Sequence, residues 1–167
     1  MTKVRGRVWK FDDNVDTNAL APAVGSRSFN YKLCLKTLRA EFPENVKPGD
    51  IVVFGRNAGC GSRREAGGAT NLKTLGVGGV LADSAARTHL RGCISVGLPI
   101  LTYDGVSKIF RDGDTAEFDV ETGEIKNVTT GRTVRAQRLP EVLLEVLNAG
   151  GAVAMAVARL KQESKVS

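Results

Sequence analysis

A glycine-rich loop holds the residues of this chain that are best suited to chemistry. It runs from Gly55 to Glu65 with the sequence GRNAGCGSRRE, between an apolar run and a helical pattern. Backbone amides at such a bend converge on an anion, which suits bound carboxylates. Ser62 would stand at the helix N-terminus, where the dipole and a neighbouring guanidinium favour the deprotonated form that a serine base requires. Arg63 and Arg64 are each able to clamp a substrate carboxylate through two hydrogen bonds.

A structural interpretation of the same loop stays open. Ser62 and Glu65 match a capping box, in which the serine side chain satisfies the first free amides of a helix. Cys60 belongs to a residue type that more often packs as a small buried side chain than acts as a ligand or nucleophile. His89, the one histidine of the sequence, is expected to pack on its helix rather than transfer protons. No isolated residue therefore decides the function.

The elements predicted around the loop alternate between strand and helix. Residues 4–11 alternate apolar and polar side chains, which indicates a half-buried strand with Trp9 in the core. The apolar run at 51–54 indicates a strand buried on both faces. After the loop, the pattern predicts a helix ending near Gly76, a strand at 77–82, a helix at 84–96 and a strand at 99–101. This alternation indicates a parallel α/β layer, whose site lies at the carboxyl ends of the strands.

The remaining segments predict irregular structure first and then a hairpin and two helices. Residues 16–29 show no clear period and indicate a loop. A short helix is expected at 31–42, because Pro43 cannot continue its hydrogen bonds. The C-terminal part predicts a β-hairpin with its turn at 121–124, a helix at 140–147, a further helical segment from Ala152 and a frayed tail at 161–167.

The overall composition is that of a soluble protein with a single domain at 1–167, since 167 residues with 42% hydrophobic content can bury a core. The sequence shows no signal peptide and no membrane-spanning stretch, so a cytoplasmic location and no membrane partner are expected. Cys34, Cys60 and Cys93 are widely spaced and predict neither a disulfide nor a metal site. The net charge of +6 favours acidic partners such as a carboxylate substrate. With scattered basic residues and 5% aromatic content, nucleic-acid binding is not expected.

Several segments resemble the small subunits of the isopropylmalate dehydratase and aconitase superfamily. The loop is similar to the family signature G-x-N-x-G-C-G-S-x-R-E, and the segment FDDNVDT at 11–17 resembles the family's amino-terminal F-x-D-N-V-D-T. The further segments that recur in register are 46–53, the Ser84-x-Ala86-Arg87 motif, 97–101, 119–124 and 139–144. The resemblance covers nearly the whole chain.

The resemblance implies a fold, an activity and a partner. The fold would be a swivelling β/β/α domain, with a mainly parallel sheet flanked by helices and with a C-terminal β-hairpin and helix. The activity would be a hydro-lyase that isomerises a hydroxy dicarboxylate by dehydration and rehydration, in the first place 3-isopropylmalate in leucine biosynthesis. It would require a large subunit that carries a [4Fe–4S] cluster, with no cofactor bound by this chain alone.

The resemblance also assigns roles to residues. Ser62 would be the catalytic base, and Arg64 would hold a substrate carboxylate and stabilise the developing negative charge. Arg63, Asn18 and Arg27 are the other candidates for substrate binding. The residues expected to support them from behind are Asp16, Thr17, Gly59, Cys60, Gly61, Glu65 and Arg87.

The chain departs from the family pattern at several positions. Asn18 stands where the family has a second aspartate, and Arg63 replaces a second serine. Ala58 and Ala85 replace aromatic residues, and Ala66 replaces a histidine. Two alternatives therefore remain beside the leading hypothesis. One is a related hydro-lyase acting on homoaconitate or 2,3-dimethylmalate. The other is a catalytically impaired paralogue with a binding or regulatory role, for example on RNA.

Overall fold

A seven-stranded sheet is the centre of the computed structural model, which describes residues 3–24, 28–61 and 65–164. Its strands are β1 (Lys3–Lys10), β4 (Ile51–Phe54), β5 (Gly79–Ala82), β6 (Ile100–Thr102), β7 (Thr115–Asp119), β8 (Glu124–Asn127) and β9 (Thr133–Arg135). The order across the sheet is β6-β5-β4-β1-β7-β8-β9. β6, β5, β4 and β1 are parallel, and β1 pairs antiparallel with β7, which begins the C-terminal meander. This mixed α/β sheet confirms the predicted fold class.

Six helices and a small hairpin accompany the sheet in the described part of the chain. The helices are α1 (Thr17–Leu20), α2 (Phe42–Asn45), α3 (Glu65–Thr74), α4 (Arg87–Ser95), α5 (Glu141–Asn148) and α6 (Ala152–Glu163). The hairpin consists of β2 (Ala23–Val24) and β3 (Ser28–Phe29). α3 packs against both α1 and α4, and α5 and α6 pack against α4. The connections from β4 to β5 and from β5 to β6 thus each run through a helix, which is the crossover that parallel strands require.

The burial of the strands follows their residue types. Every residue of β4 and β5 is buried, as expected for apolar strands in the interior of a parallel sheet. Trp9 is a core residue, as predicted, with 2% of its surface exposed. Its ring packs edge-to-face against that of Phe42, with 5.2 Å between the ring centroids, and its indole N–H donates to Asp50 Oδ2 at 2.8 Å. Asp50, itself 6% exposed, also accepts from the Lys47 amide at 2.9 Å.

The predicted helix at 31–42 is wrong. The segment begins with a 3₁₀ turn at Tyr31–Leu33 and continues as turns, because Leu35 has a left-handed backbone with φ of 57°. The Leu35 amide donates to the carbonyl oxygen of Ala19 at 2.7 Å. This contact with α1 stabilises the left-handed backbone of Leu35, which is incompatible with a right-handed helix. Pro43 lies in the first turn of α2 rather than after a helix, since its missing N–H is not needed there.

Two smaller predictions also differ from the structure. The segment 16–29 is not an irregular loop throughout, because it contains α1 and the β2–β3 hairpin. Asp16 caps α1 by accepting from the Ala19 amide at 2.9 Å. The last helix continues to Glu163, past the predicted start of the frayed tail at Lys161.

Within the described residues, no single helix is long and apolar enough to cross a membrane. α5 and α6 taken together have the length and apolar composition of a span, and they are bent by 82° at their junction. Gly151, at this junction, has a φ of 117°. The junction is therefore a turn between two helices.

Replacing Asp50 by alanine tests the buried contact between β1 and the turn before β4. Asp50→Ala should lower the free energy of unfolding by about 1–3 kcal/mol, because the Trp9 indole and the Lys47 amide lose their acceptor inside the protein. Urea denaturation of the full chain measures the loss. Asp50→Asn keeps an acceptor oxygen and should lose clearly less. Wild-type stability in Asp50→Ala would contradict the assignment.

Candidate active site

The loop that follows β4 is hydrogen-bonded along one side to the segment that follows β1. This segment, residues 13–17, runs parallel to loop residues 55–61. The bonds are Arg56 N to Asp13 Oδ1 (2.7 Å), Asn14 N to Arg56 O (2.7 Å), Gly59 N to Val15 O (2.8 Å) and Thr17 N to Cys60 O (2.9 Å). Asp16 and Cys60 form a parallel bridge. The pairing of β1 with β4 therefore continues past the ends of both strands.

The opposite side of the loop is bonded to the segment that follows β5. The bonds are Asn57 N to Ser84 Oγ (3.0 Å), Ala58 N to Ser84 O (3.0 Å) and Ala86 N to Ala58 O (2.9 Å). Ala58 and Ala85 form a second parallel bridge. The loop is thus the middle member of a three-segment ladder at the carboxyl edge of the sheet, where α/β proteins bind ligands. A loop held on two sides is fixed before any ligand arrives.

A short helix beside the end of the loop presents polar side chains. Thr17 is buried at the start of α1, and its Oγ1 would lie 3.3 Å from a Cβ atom placed on Gly61. Asn18 is exposed, and its Nδ2 lies 3.4 Å from Asp16 Oδ2. Asp16 and Asn18 also line a cleft of about 520 Å³ whose other wall includes Leu38. Both acidic and basic side chains line the cleft, and its lining comes from the segment after β1 and from residues 37–39 rather than from the loop.

A buried histidine packs against the loop. His89, on α4, has no exposed surface, and its ring packs edge-to-face against Phe54 at 6.3 Å. Its Nε2 lies 3.7 Å from the Sγ atom of Cys93. Gly59, with φ of 71°, sits so close that an added Cβ would come within 2.3 Å of the His89 Cβ and Cγ atoms. His89 is therefore a packing residue, as predicted, and the loop approaches it because position 59 has no side chain.

The predicted site residues divide into those that the structure brings together and those outside the described residues. Asp16, Thr17, Gly59, Cys60 and Gly61 meet at the end of the ladder. Asn18 adjoins them, and Arg87 is exposed at the first residue of α4. Glu65 is the first residue of α3. Four of the predicted site residues lie outside the described residues, and their roles stay predictions: Ser62, Arg63, Arg64 and Arg27.

Three contacts near the loop were not predicted. The side chains of Asn14 and Asn57 are hydrogen-bonded at 2.9 Å. Both residues lie in segments that resemble the family, but the sequence did not predict that they contact each other. Gly68 lies inside α3, where glycine is unfavourable, and it has a packing reason: an added Cβ would lie 2.9 Å from the Leu20 Cβ on α1. Ala58 and Ala85, two departures from the family pattern, turn out to face each other in the ladder. Sequence spacing gives no signal for such pairings.

The cysteines of this chain do not form a cluster-binding set. Burial raises the pKa of the Cys34 and Cys93 thiols to about 12, which disfavours the thiolate that a metal needs. Cys60 is partly exposed in the loop. Among the residues that the structure describes, no group of three histidine, cysteine or acidic side chains is placed to hold a metal ion.

A pair of glycine substitutions measures the approach of the loop to His89. Gly131 has a φ of 79° and open space where a Cβ would be added, so Gly131→Ala carries the backbone penalty alone, about 1–2 kcal/mol. Gly59→Ala should cost about 1–3 kcal/mol more, because its Cβ also overlaps the imidazole. Thermal and urea unfolding of both variants measure the difference. Equal losses would show that Gly59 is not packed on His89.

Known proteins resemble this chain in sequence. Residues 27–104 match the Aconitase C-terminal domain family. The chain is 45% identical over 155 residues to the isopropylmalate/citramalate isomerase small subunit of Methanocaldococcus jannaschii, covering 89% of this chain and 90% of that protein. It is 39% identical over 155 residues to the methanogen homoaconitase small subunit of Methanothermobacter thermautotrophicus, covering 90% of this chain and 88% of that protein.

A solved structure shares the fold over the whole chain. The crystal structure of 3-isopropylmalate dehydratase from Methanocaldococcus jannaschii aligns with a TM-score of 0.89 and 33% identity, covering 99% of each chain. Similarity of this extent in both sequence and structure confirms the predicted resemblance. The chain therefore belongs to the family of isopropylmalate dehydratase small subunits, within the aconitase superfamily.

Proposed function

We propose that this chain is the small subunit of a hydro-lyase that dehydrates and rehydrates a hydroxy dicarboxylate, with 3-isopropylmalate as the first candidate substrate. The observation that carries the proposal is the ladder that holds residues 55–61 between the segments after β1 and β5. Each of these three segments contains one of the motifs on which the family resemblance rests. The names of the relatives support the reaction and the substrate class.

In this proposal, Ser62 removes a proton from the carbon next to a substrate carboxylate. Consecutive Cα atoms are about 3.8 Å apart, so the covalent chain keeps Ser62 next to the fixed Gly61. Ser62 also precedes α3 by three residues, and positive charge from the helix start and from Arg63 or Arg64 favours a serine alkoxide. In the reverse direction, the protonated serine returns the proton to carbon.

The arginines hold the substrate while the proton moves. A guanidinium matches a carboxylate with two parallel hydrogen bonds, which fixes both position and orientation. Arg64 is assigned to the carboxylate that gains negative charge when the neighbouring carbon loses its proton, and Arg27 to the other carboxylate. Asn18 is exposed beside the end of the loop and can donate its amide to a carboxylate oxygen, which an aspartate at that position cannot do.

The proposal includes a large partner subunit. Relatives of this chain are named small subunits, and its own cysteines do not fit an iron–sulfur cluster. We therefore assign a [4Fe–4S] cluster to the partner, where it would act as the Lewis acid for the substrate hydroxyl. The exposed loop end at Gly61 and the exposed Asn18 suit a site completed by another chain.

A homoaconitate-type substrate is the second candidate, and Arg63 favours it. A substrate of that type has a third carboxylate, and a guanidinium in place of the family's second serine offers it a partner. The relative named a homoaconitase small subunit is consistent with this alternative. A tricarboxylate substrate therefore favours arginine at position 63, whereas a dicarboxylate substrate favours the family's serine.

Replacing the serine tests the proposed base. In a complex reconstituted with the large subunit, Ser62→Ala should lower kcat at least about 10²- to 10⁴-fold, because that is the range that a positioned base contributes. Formation of the unsaturated diacid, followed by absorbance, measures the rate. Ser95→Ala, at an exposed serine at the end of α4, is the matched control and should keep full activity. Full activity in Ser62→Ala would refute the base assignment.

Replacing Arg63 by the family's serine tests the substrate class. If the substrate is a tricarboxylate, Arg63→Ser should raise its KM by about 10-fold or more, because a charged hydrogen-bonding partner is removed. If it is 3-isopropylmalate, the same change should leave KM unchanged or lower it. Initial rates of wild type and variant on both substrates decide between them. A complex inactive on every hydroxy di- and tricarboxylate would contradict the proposed function as a whole.

A further inference from the structure

Two asparagines, one in the loop and one in the segment after β1, share an unusual backbone conformation. Among the described residues, three that are not glycine have a positive φ: Asn14 at 59°, Leu35 at 57° and Asn57 at 57°. Left-handed backbone is unfavourable for most side chains, and asparagine tolerates it better than nearly all others. Asn14 and Asn57 are bonded to each other, through Nδ2 of Asn57 and Oδ1 of Asn14 at 2.9 Å. The contact joins the segment after β1 to the loop after β4.

Asn57 is a branching point of the ladder. Its backbone amide donates to Ser84 Oγ at 3.0 Å, and its side chain donates to Asn14. Its carbonyl oxygen accepts from the Cys60 amide at 3.2 Å, which closes a turn over Ala58 and Gly59. Asn57 is therefore bonded directly to Cys60, two residues before Ser62.

We propose that the Asn14–Asn57 hydrogen bond is a positioning contact that sets the place of the loop end from which Ser62 extends. The inference rests on the proposed function for its effect on catalysis. Both asparagines have left-handed backbone where their side chains meet, and their bond adds to the main-chain bonds that hold the two segments in register. Displacing a catalytic group by about 1 Å can slow a reaction about 100-fold, so even an exposed bond matters here.

A purely conformational role for these asparagines makes a different prediction. If only the left-handed backbone mattered, aspartate and asparagine would be interchangeable at both positions, since both tolerate it. The proposed bond has a direction, because Asn57 donates and Asn14 accepts. Aspartate at position 14 keeps the acceptor oxygen, whereas aspartate at position 57 places one acceptor against another.

The experiment compares Asn14→Asp, Asn57→Asp and Asn57→Gly in the complex with the large subunit. Asn14→Asp should stay within about threefold of wild-type kcat, whereas Asn57→Asp and Asn57→Gly should lose about 10- to 100-fold in kcat. KM and the midpoint of thermal unfolding should change little in all three. Asn45→Asp, at an exposed asparagine that ends α2, is the matched control and should equal wild type. Equal kcat in Asn14→Asp and Asn57→Asp would overturn the inference.

A second measurement does not depend on turnover. Amide hydrogen exchange of the full chain should show faster exchange in Asn57→Asp than in Asn14→Asp at the Gly59 and Thr17 amides, which donate between the two segments. Exchange in Asn57→Asp that equals wild type would overturn the inference by itself. A wild-type complex without hydro-lyase activity would instead contradict the proposed function, and the exchange result would still decide whether the bond holds the loop.

Discussion

Main-chain hydrogen bonds that continue beyond the ends of three parallel strands are the interaction on which this structure depends. They hold residues 55–61 between the segments 13–17 and 84–86, so that a loop without regular secondary structure has neighbours on both sides. The absence of a side chain at Gly59 lets the loop rest on His89, and the buried β4 anchors its start. A binding loop can be rigid without being long or covalently linked when a sheet supplies its bonding partners.

The four parallel strands and the β7–β8 hairpin could be predicted, because a strand buried on both faces is an apolar run, as at 51–54, and because the hairpin turn has typical turn residues at 121–124. The short strands β2, β3 and β9 were not predicted. The segment 31–42 could not be predicted, because its apolar spacing suits a helix while Leu35 adopts a left-handed backbone bonded to α1. A contact between residues distant in sequence outweighs local preference there. The one-turn helix α1 could not be predicted either, because four residues are too few to show a helical period. Its only signal in the sequence is the capping residue Asp16.

The candidate site was predicted as a set of motifs but not as an arrangement. Glycine spacing and the run of Ser62, Arg63 and Arg64 pointed to the loop, and the resemblance named Asp16 and Thr17. That Ala58 faces Ala85 became visible in three dimensions only, and it changes how those departures are interpreted. Because the two positions pair directly, substitutions at them are expected to be coupled rather than independent.

The ladder joins parts of the chain that are far apart in sequence. Asn57 is bonded to Asn14 across 43 positions and to Ser84 across 27. Contacts of such separation carry the entropic cost of closing long loops, and they share that cost with the pairing of β1 with β4 and of β4 with β5. The shape of the loop therefore depends on the alignment of β1, β4 and β5. A chain in which these three strands are not aligned therefore does not present residues 55–61 in this arrangement at the edge of the sheet.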